Sequence, residues 1–200
     1  MALPTPQSGF LISVVGQIEK AEFAEFDNIY CKYCFVCGPD WERLSGYEEG
    51  LSQVSRKSQD DRQIFVLNFP FEVCFKSTNP YGWPRIVLSI YGIDSFGNSV
   101  IRGYGMYHLP VTSGKCTKVM STFVPASSSM LQQMTSWFTG RRPEYLDSRV
   151  LAFGDGREVT RVASQGKVWI TFNVMIKDMR KYGFDNVQRE NAASTSSQSS

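Results

Sequence analysis

The sequence has little of what marks several common protein classes. It contains 200 residues, one histidine and a formal net charge of only +2. The first apolar run, Phe10–Val15, has six residues, which is too short for a signal peptide or a membrane-spanning helix. So small a net charge also argues against an obligate nucleic-acid-binding protein. We therefore expect a cytoplasmic protein that binds no nucleic acid.

The single histidine leaves little room for catalysis. Any Ser–His or Cys–His enzyme would have to use His108 as its base. His108 stands in a strand-like run with Tyr104 and Met106 on the same face, which favours a structural histidine. The glycine-containing segment Gly154–Arg161 lacks the lysine of a phosphate-binding loop, and it also lacks the strand–loop–helix setting of such a loop. The sequence therefore predicts no catalytic residues and no enzyme activity.

Three cysteines have spacings that occur in zinc sites. They are Cys31, Cys34 and Cys37, but structural zinc needs four ligands that converge. These cysteines lie in a predicted strand, where alternation sends Cys34 to the face opposite the other two. Cys74 and Cys116 are isolated. We expect all five to be reduced thiols and not metal ligands.

Acidic residues are too scattered for calcium. A Ca²⁺ ion takes roughly six oxygen ligands, usually from clustered acidic loops. Asp94, Asp147 and Asp155 are far apart in the sequence, and the Asp60–Asp61 doublet stands beside basic residues. The sequence predicts no metal site and no cofactor.

Most local patterns alternate with a period of two. The chain is 42% hydrophobic and 14% aromatic, enough for a sizeable core. The segments that alternate are Leu11–Ile18, Tyr30–Val36, Ile64–Asn68, Phe71–Ser77, Arg85–Gly92, Ser99–Leu109, Lys118–Val124 and Lys167–Lys177. About eight short strands separated by turn residues predict an all-β fold in one domain, an antiparallel sandwich or barrel, and we interpret it as a β-sandwich.

One segment departs from this pattern. Residues 129–140 place Met130, Leu131, Met134, Trp137 and Phe138 on one helical stripe, which predicts one short inserted helix. The serine-rich end of the chain, residues 186–200, is typical of a disordered tail. We expect a flexible N-terminus over residues 1–9 and a single domain over residues 10–185.

The loop before Arg85 combines four structure-breaking residues with two aromatic rings. Pro80 and Pro84 restrict the backbone, and Gly82 allows a bend that other residues resist. We interpret the loop as a stiff corner. Tyr81 and Trp83 either close the end of the sandwich or contact a partner; for Trp83 closing the end is favoured, because large rings contribute most when buried.

Basic residues gather in the second half of the chain. Residues 1–100 carry 8 basic and 12 acidic side chains, whereas residues 101–200 carry 13 and 7. The candidate contacts for an acidic partner or an anionic membrane surface are Arg141, Arg142, Lys177, Arg180 and Lys181. The same residues would also suit the solvated ends of a helix and a strand, and the sequence leaves both readings open.

Several long motifs together resemble the B9-domain family. They are "YCKYCFVCGPDW" near the start, "FKSTNPYGWPRIVLSIYG" from Phe75, "FGNSVIRGYGMYHLP", "SWFTGRRPEYLDSRVLAFGDGREVTRVASQGKVWITFNV" and "KDMRKYGFD". These segments extend over most of the chain, from about Phe10 to Asp185. They are rich in Trp, Pro and Gly, so a chance similarity is implausible.

The resemblance implies a C2-like sandwich and a non-enzymatic structural role. It implies partners, namely the two sibling B9-domain proteins, tectonic-type membrane proteins and coiled-coil proteins. It implies a location at the basal body and ciliary transition zone, where the tectonic-like (Meckel) complex acts as a diffusion gate for membrane proteins. Ciliogenesis, Hedgehog signalling, and Meckel- and Joubert-type ciliopathies are linked to that complex. An alternative expectation is a peripheral C2-like module that binds anionic phospholipid without calcium.

Overall fold

The computed structural model of the chain describes residues 9–94, 97–125 and 162–184. Ten strands and one short 3₁₀ turn occur in these ranges, and no α-helix. The strands are β1 Phe10–Glu22, β2 Asn28–Val36, β3 Trp41–Gly46, β4 Glu49–Leu51, β5 Ser55–Arg56, β6 Ile64–Ser77, β7 Arg85–Ile93, β8 Ser99–His108, β9 Gly114–Pro125 and β10 Val162–Lys177; the 3₁₀ turn is Met179–Tyr182.

All strand pairs are antiparallel, and together they form one sheet that curls into two layers. The first layer has the order β3-β6-β1-β10-β9, and the second has the order β8-β7-β2-β4, with β5 also paired to β2. Described pairing between β8 and β9 consists of one residue pair, Tyr104 with Phe123. A bridge between Lys57 and Phe65 joins the layers at the other side. The all-β antiparallel fold predicted from the sequence is confirmed.

The predicted strands are present, with two differences. Ile64–Asn68 and Phe71–Ser77 are a single long strand, β6, which continues through Asn68 at φ 45°. Asparagine tolerates a positive φ better than most residues, and the register with β1 shifts next to this point, between Ile18 and Lys20. The short strands β3, β4 and β5 were not predicted. They lie at sheet edges and are mostly exposed, so they lack the alternation that signals a strand.

Some sequence predictions lie outside the described residues. The inserted helix at 129–140, the serine-rich tail at 186–200 and nearly all of the N-terminal segment 1–9 belong to this group. The domain limits 10–185 therefore stay a prediction. None of the described residues forms a helix with the length and apolar character needed to cross a bilayer.

Aromatic rings from facing strands fill the space between the layers. Phe71 of β6 lies 5.8 Å from both Tyr33 and Phe35 of β2, measured between ring centroids. Phe71 also contacts Phe172 of β10 at 5.8 Å. Rings at such distances attract each other beyond the burial of their area. Alternation places these residues on the inner face of each strand, as the sequence predicted.

A smaller apolar cluster lies on the opposite face of β2, β7 and β8. Its buried members are Cys34, Val36, Val87, Ile101 and Tyr104. The sequence shows why apolar side chains occur on both faces: in β7, Val87 and Tyr91 alternate with Ile86, Leu88 and Ile90. Burial on both faces is typical of a strand that is covered from two sides.

Replacement of Phe71 by Ala tests the contact between the layers. We expect Phe71→Ala to lower the free energy of unfolding by about 3–5 kcal/mol, because it removes a ring that touches both layers and leaves a cavity. The control in the same strand is Val66→Ala, whose side chain is 52% exposed and should change stability by less than about 0.5 kcal/mol. Denaturant unfolding monitored by Trp fluorescence measures both. Equal losses for the two variants would contradict this account of the core.

Candidate partner-binding site

Two loops meet beside the ends of β2 and β6. Residues 37–40 connect β2 to β3, and residues 78–84 connect β6 to β7. The backbone N–H of Gly38 donates to the carbonyl of Gly82 at 2.8 Å. The indole Nε1 of Trp41 donates to the carbonyl of Tyr81, also at 2.8 Å. These two bonds hold the loops together.

Gly82 is required by both its conformation and its surroundings. Its φ is +69°, and a Cβ atom at this position would lie 2.5 Å from the Cα of Gly38. A side chain would therefore suffer backbone strain and a collision with main-chain atoms that cannot rotate away. The stiff corner proposed from the sequence agrees with this geometry.

Polar contacts stiffen the same loop from the other side. The hydroxyl of Ser77 donates to the carbonyl of Asp40 at 2.8 Å and accepts from the N–H of Asn79 at 3.1 Å. The amide of Asn79 donates to the carboxylate of Asp40 at 3.0 Å, while its oxygen accepts from the N–H of Tyr81. Asn79 thus acts as a turn-forming residue of the type expected before a tight bend.

The two aromatic residues of the loop have different surroundings. Trp83 is half-buried against the core; its Nε1 donates to the carbonyl of Leu109 at 2.8 Å, and its ring meets Trp41 edge-on at 5.3 Å. Tyr81 is 77% exposed. Trp83 therefore closes the end of the sandwich, as favoured from the sequence, while Tyr81 points into solvent.

A cleft of about 250 Å³ lies between the two loops. Its walls are formed by Val36, Cys37, Gly38, Pro39, Tyr81, Gly82, Trp83 and Arg85. The sequence pattern pointed to the two aromatic members, but not to Arg85 or to the residues of loop 37–40. No local signal could have found them, because the two walls are more than 40 positions apart in the chain.

Arg85, the first residue of β7, is one of the residues that line this cleft. The strand register aligns it with Val36 of β2 on one side and with His108 of β8 on the other. Desolvation lowers the pKa of His108, and the neighbouring Arg85 guanidinium lowers it further. His108 is thus more fully neutral at pH 7 than an ordinary histidine, and Arg85 supplies the positive charge here.

A second cleft lies next to the end of β10, and two of the basic residues predicted as contacts line it. Arg180 and Lys181 line it together with Thr112, Ser113 and Asp178, and its volume is about 500 Å³. Lys181 forms an ion pair with Asp178 at 2.5 Å, which raises the pKa of Lys181 and lowers that of Asp178. The positive charge of this cleft is therefore partly neutralised.

The remaining basic candidates are Lys177, Arg141 and Arg142. Lys177 is exposed at the end of β10, opposite Leu11. Arg141 and Arg142 lie outside the described residues. Whether all five basic residues share one surface is therefore still a prediction.

The cysteines divide between the two faces of β2 as the sequence predicted. Cys31 lies in the main core, and Cys34 lies in the smaller cluster on the other face. Burial raises the pKa of the Cys31 thiol far above its ordinary value, so this thiol stays protonated. No group of three His, Cys, Asp or Glu side chains that could hold a metal ion occurs in the described part of the chain.

Substitution of Gly82 tests the rigidity of the loop. We expect Gly82→Val to lower the free energy of unfolding by about 1–3 kcal/mol from backbone strain alone, with a further loss from the collision with Gly38. The matched control is Gly97→Val, because Gly97 has a similar φ of +82° but open space where its Cβ would be. Thermal unfolding compares the two. Equal destabilisation would mean that the contact with Gly38 contributes nothing.

Comparison with known proteins shows extensive similarity along the chain. Residues 12–175 match the family described as ciliary basal body-associated, B9 protein. The chain is 60% identical over 185 residues to B9 domain-containing protein 1 of Homo sapiens, covering 92% of this chain and 90% of that protein. It is 26% identical over 175 residues to B9 domain-containing protein 2 of Xenopus laevis, covering 88% and 98%.

Among solved structures, the C2A domain of plant Extended Synaptotagmin 1 is similar, with a TM-score of 0.43 and 12% identity. The match covers 81% of this chain and 92% of that one. B9 proteins are not a known enzyme family. From the match over most of its length, we conclude that the chain belongs to the ciliary basal body-associated B9 family.

Proposed function

We propose that this chain is a non-enzymatic structural component of the tectonic-like (Meckel) complex at the ciliary transition zone. In this role it assembles with the two sibling B9 proteins and with tectonic-type membrane proteins. The assembly acts as a diffusion gate for ciliary membrane proteins, and ciliogenesis and Hedgehog signalling depend on it. The chain itself contributes docking surfaces and performs no chemistry.

The observation that carries this proposal is the 60% identity to B9 domain-containing protein 1 over nine-tenths of both chains. Identity of this extent includes the surfaces as well as the core. The weaker match to B9 domain-containing protein 2 is with a second protein of the same domain type, which supports the idea of sibling partners.

The outer face of the first layer offers a surface for such contacts. Val15 and Met175 are each at least 48% exposed, and they belong to the neighbouring strands β1 and β10. The register places Ser13 opposite Met175 and Val15 opposite Asn173, so Val15 and Met175 are diagonal neighbours. Exposed apolar side chains close together are typical of interaction sites.

Co-purification with B9 domain-containing protein 2 of the same organism tests the proposal. We expect a stable complex whose binding Val15→Glu weakens about tenfold or more, because a charge would be buried without a partner at the interface. Val54→Glu is the control, since Val54 is equally exposed but lies between β4 and β5. Size-exclusion chromatography and calorimetry measure the binding. A wild-type chain that forms no complex would contradict the proposed assembly.

A second candidate function is binding of anionic phospholipid without calcium. The observation that favours it is the cleft beside the 3₁₀ turn, where the side chains of Arg180 and Lys181 stand near the hydroxyl-bearing residues Thr112 and Ser113. Cationic and hydroxyl groups together suit a phosphate headgroup. Asp178 acts against this function, because its carboxylate pairs with Lys181.

Vesicle flotation with and without phosphatidylserine separates this candidate from the first. If the cleft binds headgroups, Asp178→Asn should strengthen flotation with anionic vesicles, because it frees Lys181, and added salt should weaken it. Asp27→Asn is the control, since Asp27 sits beside Lys57 at the longer distance of 3.9 Å and far from this cleft in the chain. Absence of flotation for all variants would exclude the lipid candidate.

A further inference from the structure

The cleft between loops 37–40 and 78–84 has the size of a side-chain pocket. Its volume of about 250 Å³ is below the range of roughly 300–1,000 Å³ typical of small-molecule and cofactor sites. It can accept one or two side chains of a protein segment, but not a nucleotide or a cofactor. The walls are mainly apolar or aromatic, with Pro39, Tyr81 and Trp83 prominent among them.

The walls of the cleft are held in place before anything binds. Gly38 and Gly82 are joined by a backbone hydrogen bond, and the carbonyl of Tyr81 is held by the indole of Trp41. Trp83 is anchored separately through the carbonyl of Leu109. A site whose backbone is already fixed loses little conformational entropy on binding.

Tyr81 has an exposed side chain on a backbone that is held in place. Its ring is 77% exposed, although its backbone N–H and carbonyl are both hydrogen-bonded. Tyrosine at the edge of an apolar pocket is a frequent binding hot spot, since the ring buries a large area with few rotatable bonds. Tyr47 is exposed to the same extent, 78%, but it lies between β3 and β4 and does not line the cleft.

Arg85 gives the cleft its charge. It is half-buried, and it forms no ion pair or side-chain hydrogen bond with any residue that the structure describes. A guanidinium group in such a position is ready to bind a carboxylate through two parallel hydrogen bonds. At the other wall, burial raises the pKa of the Cys37 thiol and the nearby Glu48 carboxylate raises it further, so a negative charge stands near that wall. A bound carboxylate should therefore turn toward Arg85 and away from Glu48.

We propose that this cleft binds a short extended segment of a partner protein in which an apolar residue, preferably proline, stands next to Asp or Glu. The apolar side chain packs between Tyr81 and Trp83, as in other aromatic-lined grooves that receive proline, and the carboxylate pairs with Arg85. The inference rests on the proposed function for the class of ligand, a protein partner. It adds to that function the place and the chemistry of one contact.

Selection from a phage-displayed library of random 12-residue peptides, panned against the folded full chain, tests the inference. We expect the enriched peptides to carry an acidic residue beside proline or another apolar residue. Tyr81→Ala and Arg85→Gln should each weaken the binding of synthetic versions of these peptides by about tenfold or more, which corresponds to about 1.4 kcal/mol. Tyr47→Ala and Arg56→Gln are the matched controls. Their Kd for the same peptides should stay within about twofold of the wild-type value.

A charge reversal provides the sharper measurement. The Arg85→Glu variant should no longer bind the acidic peptides. It should instead bind versions in which lysine replaces the acidic residue. A merely misfolded variant would bind neither, and its thermal unfolding would reveal the defect; Arg85→Gln then carries the test alone. No enrichment, or enriched peptides that bind Tyr81→Ala and Arg85→Gln as well as wild type, would overturn the inference. So would vesicle binding that needs Tyr81 in the absence of any peptide binding.

Complex formation with the sibling B9 protein is measured in parallel and separates the two ideas. If the complex forms but no peptide is selected, the inference fails and the proposed function stands. If peptides are selected and depend on Arg85 but no sibling complex forms, the cleft is upheld as a peptide site and assembly with that sibling fails.

Discussion

The contact between the aromatic rings of β2 and β6 is the interaction on which the rest of the structure depends. Phe71 lies against Tyr33 and Phe35 across the space between the layers, and so fixes the distance between the two strands. Loop 37–40 continues from β2, and loop 78–84 continues from β6. Because their strands are held at a set distance, the loops approach closely enough for the bond between Gly38 and Gly82. The cleft beside Arg85 is a consequence of this core contact.

The loop cleft and the cleft beside the 3₁₀ turn differ in how their charges are arranged, and this difference bears on function. Beside the 3₁₀ turn, Lys181 already has Asp178 as a partner, which reduces the attraction for an anionic surface. At the loop cleft, Arg85 has no such partner within the described residues and stands among rigid apolar walls. A paired surface cation contributes little to binding, whereas a half-buried, unpaired one can contribute both affinity and specificity. These arrangements favour recognition of a protein segment over recognition of a membrane.

Much of the fold could be predicted from alternation because a strand buried on its inner face requires a hydrophobic residue at every second position. This holds for Val168, Ile170, Phe172 and Val174 of β10, all of which are buried. It fails for β3, where only Trp41 is buried, since an exposed edge strand imposes no such pattern. For the candidate site, the closely spaced turn-forming residues around Gly82 indicated a stiff loop. The positive φ at Gly82 confirms the bend. The role of Arg85 could not be predicted, because its neighbours come from another loop.

The sequence by itself determined the class of fold, the split of the cysteines between two faces of β2 and the position of a rigid aromatic loop. Each of these follows from local rules: the period of a strand, the conformational freedom of glycine and the restriction by proline. Only the tertiary structure decided that Trp83 is anchored while Tyr81 is exposed, and that Arg85 lies in a cleft with Pro39. Those outcomes depend on contacts between segments about 25 to 45 positions apart, and no local pattern encodes which distant backbone will supply the hydrogen bond.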